Sequence, residues 1–313
     1  MYKSNIFNIR EHGRINDVGE LVEQLTSIRS TKTDLNIQLF YRGESRDYGT
    51  KLLPTIYRPC YKDESFYYYD ALTNFPQEFE SLSSLSRLAK MQHYWYPTRL
   101  LDLTSNPLVA LYFACSGDEN EIGCFYILKT KEVLNYDSDR VLLLSCLAHL
   151  NTTQQQSLFK LIYEFVNSEY FAKKSDRISK DYINQKKKGP QISKTNDNNG
   201  AFQFERLIGE AVKERVSFLE YNTVAKDLLN PYFVRPLIQN ERQKKQDGLF
   251  LIMGLIGDKE FSVELINRID VMCFYVDNKK RILNELDLLG INQATLFGDL
   301  ESRVKYLNSN LIR

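Results

Sequence analysis

Histidine is scarce: the 313 residues contain only His12, His93 and His149, too few for a histidine-based metal cluster. Cysteine is also sparse. Cys60, Cys115, Cys124, Cys146 and Cys273 are odd in number, scattered and without the CxxC spacing of a zinc site or redox pair, so reduced core thiols are expected. No apolar run approaches the ~20 residues of a membrane span. The N-terminal MYKSNIFNIREHGR has no apolar core like that of a signal peptide, so a cytoplasmic protein without a membrane partner is expected. A net charge of +1 gives no global basic field to attract nucleic acid, and any such contact must come from a local patch. There is no GxGxxG after a strand, no GxxxxGK[ST] loop, no HExxH and no GxSxG, which removes the commoner nucleotide, metal and hydrolase signatures.

What remains is 43% hydrophobic and 26% charged, enough for a sizeable core in one large domain or two small ones. Asp17 to Ser30 has helical spacing with Asp17 as its cap, and Leu35 to Tyr41 reads as a strand followed by a loop. Helices are expected over Phe75 to His93, Pro107 to Cys115, Asp139 to Leu150, Gln154 to Phe171, Phe202 to Leu219, Lys279 to Leu289 and Asp299 to Leu311. Strands are expected at Gly123 to Leu128, Tyr232 to Arg235, Leu249 to Met253, Phe261 to Leu265 and Met272 to Val276. Lys173 to Gly200 is poor in large aliphatics and holds Lys186-Lys187-Lys188 and NDNNG, the composition of a mobile insertion. The late strands lie too close together for helical crossovers. The expected fold is therefore α+β, with mixed or antiparallel sheets and surrounding helices, in a single domain without internal repeats.

Two segments concentrate polar chemistry against apolar sequence. In Phe40-Tyr41-Arg42-Gly43 an arginine stands where a strand would stop, either as an anion clamp or as the structural partner of an acid such as Glu44 or Asp102. In Pro97-Thr98-Arg99-Leu100-Leu101-Asp102-Leu103-Thr104-Ser105-Asn106-Pro107, Thr104, Ser105 or Asn106 suits a helix cap, and Arg99 stands near enough to pair with Asp102. This segment is either a ligand-binding floor or a capped helix with a nearby salt bridge. His93, in MQHYWYPTR, either serves function or caps carbonyls at a helix C-terminus.

FYRG at 40 to 43, LLPTIYR at 52 to 58, MQHYWYPTRLLDLTSNPLVALYFAC at 91 to 115, ERQKKQDGLF at 241 to 250 and LLGINQATLFGDLE at 288 to 301 together resemble the FRG domain family. The resemblance covers most of 35 to 310, least so at 173 to 200. Trp95 departs from it, standing where the HYGxPTR pattern usually has glycine, and its indole is expected to fill or lid a pocket.

The FRG domain is in turn distantly similar to ADP-ribosyltransferases, which implies an ADP-ribosyltransferase-like core and NAD as substrate. Arg42 matches the arginine that holds the NAD phosphates, with Gly43 letting the backbone approach the ligand. LeuAspLeuThrSer at 101 to 105, followed by ValAlaLeuTyrPheAla at 109 to 114, is similar to the nicotinamide-pocket floor. Thr104 and Ser105 are then expected to line that pocket, Tyr41, Tyr57 or Tyr94 to stack on the ring, and His93, Thr98, Arg99 and Asp102 to border the cofactor site. The carboxylate that contacts the nicotinamide ribose has Gln246 at its nearest position, with Glu241 or Asp247 as substitutes.

The resemblance implies an effector of bacterial or phage conflict, a toxin or defence protein that transfers ADP-ribose to a macromolecule or hydrolyses NAD, with an antitoxin or defence-system component as partner. The alternative is a non-catalytic nucleotide- or nucleic-acid-binding module that uses twenty tyrosines and eighteen phenylalanines for stacking and Lys186 to Lys188 or Lys244-Lys245 for phosphate. A nuclease built on Glu44, Asp47 and Asp102 ranks last, since scattered acids do not make a metal site.

Overall fold

A computed structural model describes residues 6–30, 36–49, 52–61, 63–167, 200–213, 221–238, 241–256 and 269–311. In chain order the elements are β1 (Phe7–Ile15), α1 (Val18–Ser30), β2 (Gln38–Glu44), α2 (Glu64–Asn74), α3 (Pro76–Phe79), α4 (Ser84–His93), β3 (Leu100–Thr104), α5 (Pro107–Cys115), β4 (Gly123–Thr130), β5 (Leu134–Asn135), α6 (Asp139–Cys146), α7 (Thr152–Asn167), α8 (Gly200–Lys213), α9 (Tyr221–Leu229), β6 (Tyr232–Arg235), α10 (Glu241–Lys245), β7 (Gly248–Ile252), β8 (Ile269–Val276), α11 (Lys279–Leu288), α12 (Gln293–Phe297) and α13 (Leu300–Leu311). Among the described residues, no helix is long and apolar enough to cross a membrane.

The strands form one open mixed sheet in the order β1-β8-β4-β2-β3-β7-β6-β5, rather than several sheets. Its interior is antiparallel, and the outermost pairs, β1 with β8 and β5 with β6, are parallel. The central pairing is uneven. Strand β2 pairs with β4 from Gln38 to Glu44, and β3 pairs with β7 from Leu100 to Thr104, but β2 and β3 share the single register pair Tyr41 and Thr104. Two well-paired half-sheets thus meet at a seam.

Period-two alternation puts Phe40, Leu101, Leu103, Tyr126, Leu251 and Val271 on one face in a continuous apolar layer. Two helical clusters cover the other face. One sets α1, α5 and α11 over Tyr41, Phe125, Ile127 and Phe274. The other sets α2, α4 and α6 to α9 over Leu100, Val234, Phe250 and Ile252.

Local signals account for several helix starts. The Asp17 carboxylate accepts from Glu20 N at 2.8 Å and caps α1. Asn106 Oδ1 accepts from Leu108 N at 3.0 Å and caps α5, whose first residue is Pro107. The single helix expected over Phe75 to His93 is two, α3 and α4, because the Ser83 hydroxyl accepts from Ser86 N at 3.3 Å and starts a new helix. Strand β2 does not stop at Arg42; it continues through Gly43 to Glu44. Strand β1 and helix α2 were not expected: the middle of β1 is exposed along an edge and shows no alternation. The expected strand at 261 to 265 and the insertion at 173 to 199 lie outside the described residues, and Gly200 opens α8.

Helix α5 lies directly on the sheet. A Cβ at Gly43 would stand 1.8 Å from Ala110 O and 2.5 Å from Ala114 N, and one at Gly123 would stand 2.2 Å from Ala114 O. Gly43 therefore admits a helix, where a close approach to ligand was expected.

Arg99, expected at the cofactor or in a pair with Asp102, is fully buried on Glu64, itself buried in α2. Its Nη2 lies 2.6 Å from Glu64 Oε2, its Nε donates to the same oxygen at 2.8 Å, and its backbone N donates to Glu64 Oε1 at 2.7 Å. Nη1 donates to Met253 O and Nη2 to Gln155 Oε1, both at 3.2 Å. Burial is the largest single influence and opposes the charge on Arg99, but the charge and hydrogen bond of Glu64, together with Tyr57 and Cys146, hold the guanidinium above its ordinary pKa. Thr98 is buried beside it, donating its hydroxyl to Gln92 Oε1, and so is also structural.

Glu64→Ala leaves a buried, unpaired guanidinium and is expected to destabilise the protein by about 3–5 kcal/mol in chemical denaturation. Gly43→Ala forces backbone against backbone and is expected to cost about 1–3 kcal/mol in the same measurement.

Candidate functional site

A cleft of about 460 Å³ lies over the seam, between the end of α4 and the flank of α5. Its lining draws on β2, the loop after β2, the α4 terminus, β3, α5, α10 and the start of β7. Both half-sheets therefore contribute to its walls.

Arg42 bridges the seam. Its Nε pairs with Glu44 Oε1 at 3.0 Å, and its Nη1 donates to the backbone oxygen of Asp102 on β3 at 2.8 Å. The bond to β3 is thus to a carbonyl and not to the Asp102 carboxylate. Nη2 has no hydrogen bond among the described residues, and the side chain stays 18% exposed in the cleft lining. One face of the guanidinium is structural and the other is open.

Arg58 and Arg242 also line the cleft, and neither has a carboxylate within ion-pair distance among the described residues. The Arg58 guanidinium sits 5.8 Å from the centre of the Tyr48 ring, and Arg46 lies over the same ring at 4.9 Å. The Arg242 guanidinium lies 4.7 Å from the Phe297 ring centre. Burial pushes Arg242 below its usual pKa, opposed by the charges of Asp102 and Asp299. Three guanidinium groups therefore face two lining carboxylates, Glu44 and Asp102, and Glu44 is engaged by Arg42. The excess favours an anion.

The turn between α10 and β7 is stitched to the loop after β3. Thr104 Oγ1 donates to Gln246 O at 2.6 Å and accepts from Asn106 N at 3.0 Å, while Ser105 N donates to Asp247 O at 3.2 Å. The side chain of Gln246 lines the cleft, its Nε2 donating to Leu296 O at 3.4 Å.

The expected residues divide accordingly. Arg42, Gly43, His93, Asp102, Thr104 and Gln246 converge on the cleft. Tyr41 touches it, but its ring is buried against Phe125 with centroids 5.9 Å apart, so it does not offer a stacking face. Thr98 and Arg99 are buried in the structural cluster, and Ser105 and Glu241 are exposed outside the lining. Tyr57 packs in the opposite-face core and Tyr94 stands outside the lining. The unanticipated contributors are Arg58, Tyr48 and Arg242; Trp95, expected at a pocket, is among the lining residues. Arg58 and Arg242 sit inside the stretches LLPTIYR and ERQKKQDGLF, but no local pattern separates them from surface arginines. No group of three or more His, Cys, Asp or Glu side chains among the described residues converges as a metal site would, so Glu44, Asp47 and Asp102 do not form the acidic cluster of a nuclease.

The family model of the FRG domain matches residues 37–122. No curated protein and no solved structure matches the chain. The matched segment runs from β2 past α5 and includes Arg42, Arg58, Trp95 and Asp102, whereas Arg242 and Gln246 lie beyond it.

His93, at the end of α4, is held below its ordinary pKa, first by burial and then by the charge of Arg242. The Arg242 cation disfavours the imidazolium, so Arg242→Gln is expected to raise the His93 titration midpoint, followed by NMR of the ring protons.

Proposed function

We propose that the cleft binds a nucleotide of the NAD type by its phosphates and that the protein is an ADP-ribosyltransferase-like enzyme, passing ADP-ribose to a macromolecule or to water. The observation that carries this reading is the open Nη2 of Arg42 in a cleft where, among the described residues, Arg58 and Arg242 have no carboxylate within ion-pair distance. Arginine suits phosphate because its planar fork makes bidentate, charge-assisted hydrogen bonds. An incoming phosphate also relieves the poor solvation of Arg242.

On this reading the C–N bond between ribose and nicotinamide breaks, the electron pair leaves with neutral nicotinamide, and positive charge develops on the ribose. The acceptor oxygen, from a macromolecule or from water, then bonds to the ribose carbon and releases its proton. Asp102 is the cleft carboxylate not engaged by Arg42, and it is assigned to offset the developing charge and receive that proton. Gln246 supplies an amide for the ribose hydroxyls. Glu241, which lies outside the cleft lining, is replaced by Asp102 in the acid role.

A second reading, nucleotide or nucleic-acid binding without cleavage, is favoured by Gln246 standing where an acid is expected. Of its basic patches, Lys244-Lys245 ends α10, and Lys186 to Lys188 lie outside the described residues.

Incubation with NAD is expected to release nicotinamide, and Arg42→Ala to abolish both release and NAD binding measured by calorimetry. Asp102→Asn is expected to retain binding and lose about 10²- to 10³-fold in release rate. NAD binding with no release by the wild type, alongside salt-dependent RNA or DNA binding, would replace catalysis with the second reading.

A further inference from the structure

Helix α4 ends at His93, and the chain leaves it through Trp95, whose φ is +68°. Trp95 N donates to Gln92 O and Tyr96 N to Met91 O, each at 3.0 Å, the pattern by which a left-handed residue closes a helix. Glycine meets this conformation without strain, whereas a side chain with a Cβ carries a penalty. Burial of the ring would ordinarily offset it. Here it does not: Trp95 is 82% exposed, the chain's single tryptophan, and part of the cleft lining together with His93 and Tyr96. The indole therefore neither fills the cleft nor packs into the core. A strained backbone that holds a large apolar ring in solvent at the mouth of a cleft is a cost without a return inside the folded protein, and such strain gathers at ligand clamps.

We propose that Trp95 is the stacking platform for the planar base of the nucleotide whose phosphates Arg42 and Arg242 hold. This inference rests on the nucleotide reading and assigns to Trp95 the recognition of the base. The left-handed closure turns residue 95 away from the helix axis and presents the ring at the rim. Other lining aromatics are engaged elsewhere: Tyr48 faces Arg46 and Arg58, and Tyr96 donates its hydroxyl to Asp70 at 3.0 Å. Base stacking is tolerant of base identity, so the platform selects for an aromatic ring and leaves the identity of the base to other contacts.

Because the chain has one tryptophan, its emission reports this position alone. Titration of the wild type with NAD is expected to quench the emission saturably, whereas inorganic pyrophosphate is expected to bind by calorimetry without quenching. Trp95→Gly fits the backbone conformation and keeps the helix end, which circular dichroism and thermal unfolding check. It is expected to weaken NAD by about tenfold or more while leaving pyrophosphate affinity unchanged, with Trp95→Phe restoring most of the loss. NAD binding with unchanged emission and equal affinity in Trp95→Gly would overturn the platform and leave the nucleotide cleft standing. Failure of both NAD and pyrophosphate to bind the wild type would overturn the nucleotide reading and the platform with it.

Discussion

The close approach of α5 to β2 and β4 sets the geometry on which the cleft depends. With no side chain at Gly43 or Gly123, the helix backbone rests on the strands, and a Cβ at either position would overlap main-chain atoms of Ala110 or Ala114. That contact fixes the loop entering the helix, where Asn106 caps α5 and Thr104 reaches Gln246 O at 2.6 Å. The α10–β7 turn inherits its position from this bond, and with it the placement of Arg242 and Gln246. A helix held one side chain further from the sheet would move the cleft walls contributed by α5 and α10 together.

The arginines divide into two uses according to the carboxylate each one finds. Arg99 is fully buried and meets Glu64 along with neutral acceptors on Met253 and Gln155, so its charge is satisfied and its role is structural. Arg42 is half satisfied, with one edge committed to Glu44 and to the neighbouring strand. Arg58 and Arg242 rest against aromatic rings, with no carboxylate within ion-pair distance among the described residues. A guanidinium that is partly desolvated and lacks a paired carboxylate keeps hydrogen-bonding capacity that an anion can use.

Much of the architecture was legible in local sequence. Pro107 marked the start of α5, with Thr104, Ser105 or Asn106 open as its cap, Asp17 marked α1, and the apolar runs at β4, β6, β7 and β8 read as strands, because each signal is local: a cap, a fixed φ or an apolar run. Strand β1 was not legible, since an edge strand buries little and its middle residues are exposed. The split of α3 from α4 turned on the single hydroxyl of Ser83. Within the site, Arg42, Asp102, Thr104 and Gln246 were found from motifs that resemble a known family. Tyr41, Thr98 and Arg99 share those motifs but serve the interior.

Local sequence sufficed for most of the helices and interior strands, for the mixed helix-and-sheet character, and for the presence of arginine, aspartate and glutamine in recognisable stretches. Those properties follow from backbone preference and periodicity over a few residues. Long-range packing alone set that β2 and β3 meet at one register pair, that Arg99 finds Glu64 across 35 residues of chain while Arg242 finds no carboxylate within ion-pair distance among the described residues, and that Trp95 stands exposed at a cleft rim in a left-handed conformation. The reason is physical: whether a charge is neutralised or a ring is covered depends on groups brought together from distant parts of the chain, and nothing in the spacing of neighbouring residues specifies that meeting.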